Sequence, residues 1–176
     1  MAGKSHESKS SGEIAHIRRR LYEEGEITKR FFISLNSAEW EQPVYTIGSG
    51  WKVRQILAHF VSAEGAYQRY LQDVLEGGRG APKEMDIDEF NEAEVPPLSL
   101  KPNNILLNEF QQARCETIRL VESLSVNDLN RLAFHPWFGE KEVRWYLKLL
   151  YRHNLMHLQD IRKVFENTTF ASHSEG

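Results

Sequence analysis

Three histidines carry the clearest chemical potential in this sequence. His153 and His157 lie four residues apart in the stretch EKEVRWYLKLLYRHNLMHLQDIRKVFE, whose apolar positions Val143, Tyr146, Leu147, Leu150, Ile161 and Val164 recur at helical spacing. That interval stacks both imidazoles on one face, one turn apart, where they can share a single ion. They stand at positions where a helical bundle expects leucine. The plainer reading is a pair of core-edge histidines satisfied by water or backbone groups, because a bare His-x-x-x-His is common by chance. His59 supplies a third imidazole. In the segment WKVRQILAHF it sits beside an apolar stripe, on the strip shared with Ala63, Ala66 and Tyr70, and the alanines leave room around it. Three histidines from two helices with a fourth position open to water is the arrangement that catalytic zinc uses.

Helical periodicity predicts the elements that must position them. The first helix covers 13–38 through Ile14, Ile17, Leu21, Ile27, Phe31, Phe32 and Leu35, with Gly25 inside it marking a kink or a close packing contact. A loop rich in Pro43, Gly48 and Gly50 follows, and Ser49 is a plausible cap for a second helix over 51–76. Gly77 to Pro102 reads as a long crossover with glycines, prolines and an acidic cluster. Asn103 or Asn104 caps a third helix to about 124, Ser125 to Asp128 opens a short one, and His135-Pro-Trp-Phe-Gly139 breaks the pattern before a fourth over 140–165. The fold class is all-α, a four-helix bundle over 12–168, with a polar, disordered tail at 1–11 and a C-terminal tail at 169–176.

Depth along the bundle selects a topology. His59 lies about 12 Å from the start of the second helix, and His157 about 12 Å from the end of the fourth. The levels match if these helices are antiparallel; a parallel pair would be mismatched by about 14 Å. A long crossover between the second and third helices permits this, giving up-down-down-up.

Composition bounds the rest. The 176 residues fit one domain, with 25 acidic and 22 basic side chains for a net charge of −3. This balance lacks the strongly basic face of a nucleic-acid binder, so nucleic acid is not an expected partner. No apolar run reaches the length of a membrane span and no signal peptide is visible, which leads to a cytoplasmic assignment with no membrane partner. A single cysteine, Cys115, excludes an intrachain disulfide, and its mid-helix position reads as a small core residue rather than a nucleophile.

Further residues frame the histidines. Asp160, three after His157, and Glu64, five after His59, are positioned either to orient a ligand imidazole or to form salt bridges with Arg162 and Arg69. His135, next to a proline, can approach the mouth of the site. Met85 to Asn91 lacks the glycine and terminal glutamate of a calcium loop and reads as a lid or capping segment. The four tryptophans pack the core and its rim, where one or two can line a pocket.

Two segments, Trp51-x-Val-Arg-x-Ile-Leu-x-His59 and Tyr151-Arg-His153-x-x-x-His157-Leu-x-x-Ile161-Arg162, resemble the DinB-like superfamily of four-helix metalloproteins, which includes bacillithiol transferases and mycothiol-dependent maleylpyruvate isomerases. The resemblance extends over 13–166. It implies a divalent ion, zinc or nickel first, held by His59, His153 and His157, and frequent homodimers. One ligand can be a carboxylate in that superfamily; all three here are histidine. The implied function is a metal-dependent thiol S-transferase or related detoxification enzyme, in which the ion activates a low-molecular-weight thiol such as bacillithiol or mycothiol toward a small electrophile. The alternatives are a non-catalytic, metal-binding, stress-responsive dimer and a metal-dependent hydrolase.

Overall fold

Four long helices carry the architecture of the computed structural model: α1 (Gly3–Ile33), α3 (Val53–Leu75), α5 (Asn103–Ser123) and α7 (Val143–His173). Shorter elements lie between them: α2 (Ser37–Trp40), α4 (Ile87–Ser99), α6 (Val126–Leu129) and a hairpin of β1 (Leu132–His135) and β2 (Gly139–Glu142). The structure describes the backbone over 3–47 and 50–173, and side chains over 12–47 and 50–167. Ser49, the expected cap of the second helix, lies outside the described residues, as do 1–2 and 174–176 of the expected tails.

Side-chain pairs across the bundle fix the helix directions. On α1 and α5, Arg18 meets Glu122 while Glu24 meets Arg114, so these helices are antiparallel. On α3 and α5, Arg54 reaches Asn103 and Gln68 reaches Thr117, so they are parallel. Helix α7 runs against α3, with Tyr67 on Tyr146 and His59 on His153, and along α1, with Glu13 on Arg144 and Phe31 on Phe165. The topology is up-down-down-up, as the depth argument predicts.

The apolar interior forms two clusters, one around Leu21, Val121 and Leu147, the other around Phe32, Phe60 and Leu158. A polar stratum separates them. Its centre is Arg114, 3% exposed, which bonds the Glu64 carboxylate through Nε at 2.6 Å, pairs with Glu24, and donates to the Leu21 carbonyl at 2.9 Å. Thr28 donates to Glu24 and Thr117 to Glu64, both at 2.5 Å. Burial raises the Glu24 carboxyl above its ordinary range against the pull of Arg114. Gly25 is the glycine this arrangement requires, because a Cβ there would stand 3.1 Å from Arg114 Cγ. Gly25 therefore serves the close packing contact.

Several elements depart from sequence expectation. Helix α1 starts at Gly3, inside the expected tail, since no proline interrupts 3–12. It stops at Ile33, and Asn36 caps the separate turn α2 in a box with Glu39. Helix α3 begins one turn after Gly50, where Gln55 accepts the Lys52 N–H at 2.8 Å. The expected side-chain cap of the third helix is replaced by Pro102, which has no such bond. The crossover contains α4, capped by Asp86 and continuing through Pro96 and Pro97; its buried residues Asn91, Val95 and Ser99 recur every fourth position, and its closest packing is on α3. Cys115 is exposed, so the core reading of that residue does not hold. No helix among the described residues is long and apolar enough to cross a membrane.

Candidate metal centre

Helix α3 brings His59 to the seam with α7, where His153 and His157 project one turn apart. The Nε2 of His153 lies 3.0 Å from both the Nε2 of His59 and that of His157. Among the described residues, these three form the group able to hold a metal ion, with ligand atoms within 4.8 Å of one another. Around a tetrahedral zinc, bonds of about 2.0–2.1 Å place ligand nitrogens about 3.3 Å apart, so a few tenths of an ångström of spreading accommodates the ion.

The outer nitrogens determine what the inner ones offer. The Tyr45 hydroxyl donates to Asp160 Oδ2 at 3.0 Å and therefore accepts from His157 Nδ1–H at 2.6 Å. His153 Nδ1 faces the Asn154 side-chain oxygen at 3.3 Å, which can only accept. Both rings thus turn Nε2 lone pairs inward, and those lone pairs confront each other, an arrangement a cation relieves. His59 Nδ1 is buried without a hydrogen bond; Asn91 of α4 is the polar neighbour acting on its ring, short of a bond to that nitrogen.

Burial keeps these imidazoles neutral. Desolvation pushes His153 down to about 4 and His157 down to about 3, the latter with help from His153, and His59 falls well below the ordinary range. Trp51 packs on His59 with centroids 4.8 Å apart, and Phe60 lies against His153 and His157. The dry wall strengthens any charge interaction made inside it.

The site opens into a cavity of about 490 Å³ bounded by α3, α4, α7, the hairpin and the loop carrying Tyr45. Ala63 and Ala66 line it, the room read from the sequence. Met85 to Asn91 contributes the capping wall, and Trp51 and Trp137 line it as well. Gly80, at φ +88, pairs with Phe134, and a Cβ there would press on Ala133 at 3.3 Å; the pairing holds the linker against the hairpin, and the neighbouring residues Ala81 and His135 line the cavity.

Of the expected orienting carboxylates, Asp160 reaches His157 through the Tyr45 hydroxyl. Glu64 is directed elsewhere: its carboxylate belongs to Arg114 and Thr117 in the buried stratum. The correction follows from helical geometry, because five residues from His59 is well over one turn and rotates Glu64 to the α5 side. His135 lines the cavity but bonds Tyr67 and the Trp137 amide and stands outside the three-histidine group. Sequence reasoning missed Tyr45, which lies in an irregular loop 112 residues from its partner, where no periodic signal exists.

Residues 20–161 match the model of the DinB superfamily. No curated protein matches the chain. Solved structures that share the fold include two that align with most of this chain. One is YfiT from Bacillus subtilis, described as a probable metal-dependent hydrolase with an unusual four-helix bundle topology: 17% identity, 96% of this chain and 91% of that one covered, TM-score 0.62. The other is the colibactin self-resistance protein ClbS in complex with double-stranded DNA, at 9% identity, covering 86% of this chain and 94% of that one, TM-score 0.65. The ClbS complex overturns the exclusion of nucleic acid drawn from composition. Net charge says nothing of where charges cluster, and this fold is compatible with a duplex partner.

Proposed function

The chain belongs to the DinB superfamily, and from that premise we propose that His59, His153 and His157 hold a divalent ion that activates a nucleophile against a small molecule bound in the adjoining cavity. The observation carrying this reading is the convergence of three inward-facing Nε2 atoms at the wall of a large cavity. Such an ion supplies a nucleophile at neutral pH by lowering the pKa of a coordinated thiol or water. Tyr45 and Asn154 hold two of the imidazoles in the ligating tautomer, Asp160 anchors Tyr45, Phe60 excludes water from the rear, and Trp51 packs on His59 at the cavity wall.

The first reading is thiol S-transfer, with a low-molecular-weight thiol and an electrophile sharing the cavity, whose volume admits both. The second is hydrolysis, which the description of YfiT favours and which needs only water beside the substrate. A purely structural ion joining α3 to α7 is disfavoured, because structural sites are closed. A homodimer and a cytoplasmic setting belong to the same proposal, and sedimentation of the purified protein tests the dimer.

The decisive experiment compares zinc- and nickel-loaded protein with chelated protein, each offered a thiol plus 1-chloro-2,4-dinitrobenzene and, separately, an aryl ester. Metal-dependent thioether formation supports transfer, metal-dependent ester cleavage supports hydrolysis, and activity unchanged by the chelator overturns both.

A further inference from the structure

The cavity has a second polar station, built from Tyr67 and His135. On α3, Tyr67 lies eight residues beyond His59, about 12 Å along the helix axis. Its hydroxyl is 3.3 Å from His135 Nε2, and His135 Nδ1 accepts the Trp137 N–H at 3.2 Å. That second bond fixes the tautomer: with Nδ1 accepting, a neutral ring carries its proton on Nε2 and donates it to the Tyr67 oxygen. The hydroxyl hydrogen of Tyr67 is then left without an acceptor among the described residues.

The wall around this station is apolar and aromatic. His135 packs on Phe138 at 4.9 Å and on Tyr146 at 5.5 Å, and Tyr67 lies edge-on to Tyr146. The charged side chains lining the cavity are Asp88 and Arg152, both exposed. Burial holds His135 down near 4, so this part of the cavity has no formal charge at neutral pH. A buried anion would find no counter-charge here, whereas a neutral oxygen would find one free donor.

We infer that the cavity takes an elongated, neutral, largely aromatic molecule that places one end near the three histidines and a hydrogen-bond-accepting oxygen of its far end on the Tyr67 hydroxyl, with His135 holding that hydroxyl in donor orientation. The inference deepens the proposed function and rests on the reading of the cavity as a substrate site. Tyr67 leaves α3 two turns beyond His59, so its hydroxyl serves a part of the molecule away from the end held at the imidazoles. Tyr67 selects the substrate, and His135 is a positioning residue.

The test measures binding by calorimetry for three probes that share one body: biphenyl, 4-acetylbiphenyl, and biphenyl-4-carboxylate. It uses wild-type and Tyr67→Phe full-length protein, each zinc-loaded and chelator-stripped. Wild-type protein is expected to bind 4-acetylbiphenyl roughly fivefold more tightly than biphenyl, the value of one neutral hydrogen bond. The carboxylate should bind more weakly than the ketone. Tyr67→Phe should abolish the ketone preference and leave biphenyl unchanged, with or without zinc. A ketone preference that survives Tyr67→Phe, one that vanishes with zinc, tighter binding of the carboxylate, or no binding of any probe would overturn the inference. Because the readout is binding in the stripped protein, it stands or falls separately from metal-dependent turnover.

Discussion

The Tyr45 hydroxyl sits 2.6 Å from Nδ1 of His157 and delivers the negative charge of Asp160 to that imidazole across 112 residues of sequence. This partner fixes the ring and raises its basicity as a ligand. Such outer partners typically carry a 10–100-fold effect on metal affinity. Tyr45→Phe is expected to weaken zinc binding by about that factor, with little change in melting temperature of the metal-free protein. A competitive titration against a chromogenic chelator checks it.

Removal of any one imidazole should be more severe. His59→Ala, His153→Ala and His157→Ala each leave two ligands, and elemental analysis should show about one ion per chain in the parent and almost none in the variants. Stoichiometric metal in all three single variants would sink the assignment.

The depressed imidazole pKa values set two pH dependences. In metal-free protein, the unfolded chain takes up protons near the ordinary value of about 6.5, whereas folded His153 and His157 wait until about 4 and about 3. The unfolded state therefore binds more protons in this window, and stability rises with pH. It is fully present above about 6.5 and lost as the pH falls through those lower values. Protons also compete for Nε2 only at low pH, so metal should remain bound down to about pH 5. Equilibrium dialysis between pH 4 and pH 8 distinguishes this from a site of ordinary histidines, whose apparent metal affinity would already fall as the pH drops below about 6.5.

Two glycine substitutions should have opposite signs. Alanine is the better helix former by about 1 kcal/mol, but at Gly25 the new Cβ would press Arg114, which Glu24, Glu64 and the Leu21 carbonyl hold in place. Gly25→Ala should therefore destabilise by about 1–3 kcal/mol in urea denaturation. At Gly65 the nearest atom is the end of the flexible Arg69 side chain at 3.5 Å, and Gly65→Ala should stabilise by up to about 1 kcal/mol.

Arg114→Leu should cost about 3–5 kcal/mol, since it leaves two buried carboxylates facing each other. Acid should restore part of that loss, because protonation of Glu24, whose carboxyl burial already raises, removes the repulsion. Denaturation curves at neutral and mildly acidic pH provide the measurement.

What the sequence made legible was what repeats. The four long helices follow from periodicity, and rise per residue shows that antiparallel second and fourth helices bring His59 level with His157. Gly25 was visible as a break in that pattern, though its partner was not. Tyr45, Arg114 and the Tyr67–His135 pair escaped because each acts through a contact distant in sequence. The hairpin was hidden for another reason: Leu132–His135 is too short to show alternation, and the glycine signal of its turn, Gly139 at φ +67, reads equally as a helix break. Helix α4 was masked by Pro96 and Pro97, which normally mark a loop.

The bundle contains two fasteners that share α3 but otherwise grip different helices. Arg114 ties α1, α3 and α5 to one another through buried charge, while α7 joins that trio through the imidazole seam, apolar packing and the half-buried pairs of Glu13 with Arg144 and Lys148. The free energy of docking α7 is thus the portion of stability that a bound cation would change most. Amide hydrogen exchange would see this as a protection gain concentrated in one helix, with the other three already slow.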